Sequence, residues 1–173
     1  MRALRVPEFL RGGQRLVEIV AGQHDFHRVA AKGAGLVDLL LRGGHGHEDG
    51  ALYPEMLAGK GHTLRPGQRL LVADLLPKVS VPDGPLDALT LFGDNRPLEF
   101  EIGYGAGEHL AAQAAMRPDH GFIGCEPFLN GTVGALAHIR DQGLSNVRLH
   151  MGDALDALKR LPDASLDRLY LLH

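Results

Sequence analysis

Three carboxylates stand where chemistry could gather: Glu101, Glu126 and Asp153 each stand at the end of a strand-like segment. The first opens a glycine-rich turn, Glu101-Ile102-Gly103-Tyr104-Gly105-Ala106-Gly107. Glycine at such a turn lets the backbone pass close beneath a ligand, which makes Gly103 and Gly105 the candidate cradle. A dinucleotide fingerprint would place its third glycine at position 108, but Glu108 stands there. A carboxylate at a helix N-terminus repels a pyrophosphate, so a nicotinamide cofactor ranks last among the readings. An acidic rim suits a cation. Glu101 is placed to meet the sulfonium and amino charges of S-adenosylmethionine, Glu126 to accept both hydroxyls of a ribose, and Asp153 to accept from the adenine amino group. The same acids at strand ends also serve as helix caps or solvated surface groups, and Asp153 has the place of an N-cap.

The elements that must hold these acids alternate along residues 98–173. Strands are expected over 98–102, 121–125, 147–150 and 169–172, with helices over 107–116, 132–142 and 154–160. That rhythm is the signature of a doubly wound α/β sheet whose right-handed crossovers make the strands parallel. Upstream, Pro66 suits a first helical turn, and Leu70, Leu71, Leu75 and Leu76 fall on one face of a helix that ends near residues 77–79. Residues 80–97 are rich in Pro, Asp and Gly, which predicts a loop. Residues 1–59 carry apolar patches at 16–20 and 36–41 between glycine-bearing segments, consistent with two short helices or partial disorder. The expected organisation is therefore a leader over 1–59, a helix and loop over 60–97, and the first half of a ligand-binding α/β domain over 98–173. A sheet ending after four strands would leave one edge bare, which predicts a marginal or aggregation-prone fold if the chain stops at His173.

Composition narrows the function classes. With 173 residues, 45% of them apolar, the chain can bury one ordinary core. A formal charge of −3 gives no overall basic field, so any nucleic-acid surface must be local. Tryptophan is absent and only 5% of residues are aromatic, which argues against a base-stacking platform. A single cysteine, Cys125, excludes an intrachain disulfide framework and fits a reducing compartment. No apolar run approaches the roughly 20 residues needed to span a bilayer, and no secretory signal opens the chain. The expectation is a protein of the cytoplasm with no membrane partner.

Other constellations weigh less. His24, His27, His45 and His47, with Asp25, Glu48 and Asp49, have ligand chemistry suited to zinc or nickel, but their glycine-rich setting supplies no rigid frame, and no metal site is expected. Lys60, Arg65, Arg69 and Lys78 form either a basic edge for phosphates or the solvated face of an amphipathic helix. Cys125 reads as a small core residue.

Leu98-Glu99-Phe100-Glu101-Ile102-Gly103, Gly121-Phe122-Ile123-Gly124-Cys125-Glu126-Pro127-Phe128 and Gly143-Leu144-Ser145-Asn146-Val147 resemble the bacterial tRNA (guanine-N7)-methyltransferase family. Leu64-Arg65-Pro66-Gly67-Gln68 is similar to the segment that precedes its catalytic core, so the resemblance spans roughly residues 60–173. It implies a Rossmann-like methyltransferase sheet with its first four parallel strands present. It also implies S-adenosylmethionine bound by Glu101, Glu126 and Asp153, with tRNA as the substrate. The family continues from its fourth strand into a Pro-Asp-Pro-Trp-Pro-Lys segment that carries the presumed catalytic aspartate. Here the sequence reaches that strand and ends at His173, so the catalytic residue is unknown. The alternative reading is a non-catalytic truncated remnant that keeps part of a nucleotide-shaped pocket.

Overall fold

A computed structural model describes residues 18–21 and 64–171. Five parallel strands form one sheet in the order β1-β5-β2-β3-β4, with β1 Glu18–Ala21, β2 Leu98–Ile102, β3 Gly121–Cys125, β4 Val147–His150 and β5 Leu166–Leu171. Strands 98–102, 121–125 and 147–150 fall where their apolar runs place them. The last strand begins at Leu166, three residues earlier than expected. Its extra residue, Asp167, sits at a register shift between Leu98 and Glu99, and its Oδ2 accepts the Leu98 N–H at 3.0 Å. A bulge that would orphan a backbone donor is thus closed by a side chain.

Two expectations are corrected here. Residues 18–21 of the leader form a strand and not part of a helix, and β1 pairs with β5 from Glu18↔Arg168 to Ala21↔Leu171. The edge of β5 expected to be bare therefore carries a fifth strand. The leader's second patch, 36–41, and its histidines lie outside the described residues. At the opposite edge residues 80–81 lie along β4, with Ser80 bridged to Leu149 and the Val81 N–H on the Leu149 carbonyl at 3.0 Å.

Helices cover both faces: α1 Pro66–Asp74, α2 Leu76–Val79, α3 Ala88–Phe92, α4 Glu108–Met116, α5 Leu129–Gln142 and α6 Ala154–Leu158. Pro66 opens α1 as its first residue, and the Gln68 side chain accepts the Arg65 N–H at 2.9 Å. Leu71, Leu75 and Leu76 pack inward, but Leu70 is 63% exposed, because the buried face of α1 runs through Leu71, Val72 and Leu75 and, at about 100° per residue, leaves Leu70 on the far side. α3 interrupts the expected loop: Asp87 caps it by accepting the Thr90 N–H at 2.6 Å, and Gly93 ends it with left-handed backbone.

Alternation along the strands divides the core. Leu98, Phe100, Ile123, Cys125, Leu166 and Leu169 face α3 and α6. Phe122, Val147 and Leu149 face the other way, toward Tyr104, Leu110, Ala114, Leu136 and Ile139 beneath α4 and α5. Asn146 braces that second face, its Nδ2 donating to the carbonyls of Ala114, Arg117 and His120 at 3.0–3.1 Å. One buried amide thereby ties Ala114, in the last turn of α4, to Arg117 and His120 in the loop that follows.

Candidate functional site

The glycine turn joins the end of β2 to α4. Gly103, Gly105 and Gly107 all have positive φ, at 69°, 56° and 86°, a conformation in which a side chain is strained. Close packing adds a second reason for glycine. A Cβ on Gly131, in the first turn of α5, would lie 2.4 Å from the Gly105 carbonyl oxygen, and one on Gly134 would lie 2.7 Å from that of Ala106. Glycines on both sides therefore let α5 press against the turn. Tyr104 pins the turn from below, its buried hydroxyl 2.9 Å from Thr132 Oγ1 on α5. Burial pushes this phenol well above its usual range, so it stays neutral.

Glu126 stands just past β3 and reaches back to the turn. Its Oε2 accepts the Gly105 N–H and its Oε1 the Phe128 N–H, both at 3.1 Å. The Glu126 N–H in turn bonds the His150 carbonyl at the end of β4, also at 3.1 Å. The C-terminal ends of β2, β3 and β4 are thus stitched into one rim. A carboxylate offers about four acceptor positions, so two backbone bonds leave capacity for hydroxyl donors. Phe128 beside it is 48% exposed.

Asp153 follows β4 and caps α6, its Oδ1 accepting the Leu155 N–H at 2.9 Å. Its charge reaches back to Cys125, which burial pushes well above the usual thiol range with Asp153 adding to the effect. Cys125 is accordingly an inert core thiol.

Glu101 is buried at the end of β2, and its Oε2 lies 2.8 Å from His109 Nδ1 in the first turn of α4. Burial raises its carboxyl above the usual range, while the hydrogen bond and charge of His109 pull it down. The structure therefore brings Glu101, Gly103, Gly105 and Glu126 around one turn, with Asp153 two strands from Glu101 along the same sheet end.

Sequence reading missed the polar cluster behind Glu101. Glu99, two residues earlier and so on the same face of β2, is 1% exposed. Its Oε1 lies 2.7 Å from His120 Nδ1, and its Oε2 accepts from Arg117 Nη2 at 2.9 Å and from the Tyr170 hydroxyl at 2.5 Å. Arg117 also donates to Gln113 Oε1 and the Tyr170 hydroxyl, at 2.6 and 2.7 Å. The available signal was His109, Gln113 and Arg117 at four-residue intervals, one polar stripe turned toward the two acids of β2.

Of the basic edge, Arg65, Arg69 and Lys78 are exposed, and Arg69 Nε donates to the Leu64 carbonyl at 3.1 Å; Lys60 lies outside the described residues. Among the described residues no group of three metal-ligating side chains converges, and no helix is long and apolar enough to cross a membrane.

Residues 95–173 match the family Methyltransf_4, described as "Putative methyltransferase". The chain is 63% identical over 115 residues to the tRNA (guanine-N(7)-)-methyltransferase of Zymomonas mobilis, covering 66% of this chain and 50% of that protein. It is 58% identical over 120 residues to the protein of the same name from Novosphingobium aromaticivorans, with the same coverage, and 46% identical over 113 residues to that of a Caulobacter species, covering 65% and 50%. The chain thus spans about half the length of the curated relatives it matches. A glycine turn rimmed by strand-end acids on a parallel sheet thus stands in a chain that is similar, over about two thirds of its length, to tRNA (guanine-N7)-methyltransferases.

Proposed function

We propose that the chain supplies the S-adenosylmethionine site of an enzyme that methylates N7 of a guanine in tRNA. The observation that carries this reading is the stitched rim: Glu126 bonded to Gly105 of the turn, its own N–H bonded to the end of β4, and Glu101 and Asp153 at the flanking strand ends. The donor set fits that cofactor. It is acidic where the ligand is cationic, it has spare carboxylate acceptors for ribose hydroxyls, and Gly103 and Gly105 keep the turn free of side chains. Glu101 faces the positive end, Glu126 holds the ribose, and Asp153 sits toward the base while capping α6.

Bound S-adenosylmethionine supplies an electrophilic methyl group on a sulfonium. Guanine N7 already has a free lone pair, so no side chain of this chain has to remove a proton from it. Its residues contribute position and field. Exposed Arg65, Arg69 and Lys78 form a local basic edge suited to tRNA phosphates, and a tRNA substrate places the protein in the cytoplasm.

Calorimetry with the intact gene product tests the first step: S-adenosylmethionine binds and Glu126→Ala abolishes or strongly weakens binding. Mass spectrometry of tRNA nucleosides tests the second through the appearance of 7-methylguanosine. Binding of NAD in place of S-adenosylmethionine, or no methylated guanosine, rejects the reading.

A further inference from the structure

Glu101 does not stand alone at the end of β2. His109, in the first turn of α4, directs Nδ1 at Oε2 from 2.8 Å, and the two side chains are mostly shielded from solvent. The imidazole is itself seated: the Tyr170 ring meets it edge-on, with centroids 4.8 Å apart. Tyr170 is the cross-strand partner of Glu101 on β5, and its hydroxyl is tied to Glu99 and Arg117. A continuous line of side chains, Glu99, Tyr170, His109 and Glu101, therefore runs from the interior of the sheet to the glycine turn.

We propose that His109 is a positioning residue for cofactor binding: its Nδ1–H fixes Oε2 of Glu101 so that the carboxylate presents Oε1 and its charge to a cationic ligand over the glycine turn. The inference rests on the reading given under Proposed function. Without the imidazole, a buried carboxyl at this place takes up a proton more readily, since burial already raises it and the His109 bond is what opposes the rise. A protonated Glu101 offers no charge to a sulfonium or an ammonium group. The groups facing Glu101 are His109 from α4 and Tyr170 from β5, with Glu99 and its cross-strand partner Arg168 one pleat back on the same face; the partner of Glu101 on β3, Gly124, has no side chain. Burial and the Glu99 bond push Tyr170 up to about 12, so it stays neutral through the range in which Glu101 titrates.

The test is S-adenosylmethionine affinity of the intact gene product by calorimetry between about pH 5 and pH 8, for wild type, His109→Leu and His109→Asn. Leucine keeps bulk and removes the donor, while asparagine carries an N–H close to the position of ring Nδ1. Thermal melts without ligand report folding separately. Expected are an affinity loss of about tenfold for His109→Leu at neutral pH, a shift of the acid limb of binding to higher pH, and recovery of both in His109→Asn. Unchanged affinity and pH limb in His109→Leu overturn the proposal, as does a folded His109→Asn that binds like His109→Leu. Where the leucine variant does not fold, His109→Asn decides alone: wild-type behaviour supports the proposal and loss of affinity overturns it. Wild-type protein that binds no S-adenosylmethionine at any pH sinks the cofactor reading itself; wild-type binding with an indifferent leucine variant sinks only the role of His109.

Discussion

The two faces of the sheet are built on different principles. On the side of α3 and α6, β2, β3 and β5 present Leu98, Phe100, Ile123, Cys125, Leu166 and Leu169, a dry layer with no charge in it. On the side of α4, the same β2 and β5 present Glu99, Glu101, Arg168 and Tyr170, met by His109, Gln113, Arg117 and His120. Among the described side chains, those of β3 and β4 keep that second face apolar, under α5. Dispersion and water exclusion hold the first face and tolerate any well-packed arrangement of similar volume. The second face is held by directional bonds to buried carboxylates, which fix atoms in place at a desolvation cost. Half of one face is therefore given over to geometry, next to the turn where a ligand would need it.

The contrast can be broken or sharpened in order of expected effect. Phe100→Ala on the dry face, where the ring is fully buried, should cost about 4 kcal/mol by urea denaturation. Glu99→Ala on the polar face should cost less, about 2 kcal/mol, because Arg117 and His120 keep some access to water and can be rehydrated. Equal costs would mean that the polar cluster is as much a core as the apolar one. Gly131→Ala forces a methyl against the Gly105 carbonyl and should cost about 1–2 kcal/mol, with a larger relative loss in S-adenosylmethionine affinity as the turn is displaced. A stability loss with affinity intact would detach the glycine packing from the site.

The smallest effect is a pH dependence. Glu101 is raised in the folded state, so its contribution to stability is fully present below the ordinary carboxylate range and is lost as pH rises through the raised value. Relative to wild type, Glu101→Gln should gain stability as pH rises through that window and show no such gain below it. Denaturation midpoints of the two proteins across acid to neutral pH give the comparison; a constant difference would show that Glu101 ionises as freely in the fold as outside it.

Much of this was legible in the residues. Gly121–Cys125 is a short apolar run and Val147–His150 alternates apolar with polar residues, and nothing in the tertiary structure moved them. The glycine turn and the three strand-end acids were likewise visible as types at fixed places. Residues 16–20 were not decidable, because a short apolar run fits either period; the open edge of β5 selected a strand for Glu18–Ala21. Leu70 was read as part of a helical stripe, but the face that packed runs through Leu71, Val72 and Leu75 and leaves it exposed. The His109–Glu101 pair was hidden because its members belong to different elements, eight residues apart across a turn whose path only three positive φ values define.

By itself the sequence determined the alternation of strands and helices over residues 98–171, where the backbone must be free of side chains, and which acids end the strands, since all of these depend on local periodicity and residue type. The tertiary structure alone decided that Glu126 bonds Gly105, that His109 and Tyr170 converge on Glu101, and that Glu99 is buried among cations. Those contacts join residues from different strands and helices, and their distances are set by the register of parallel strands and the seating of α4 on the sheet.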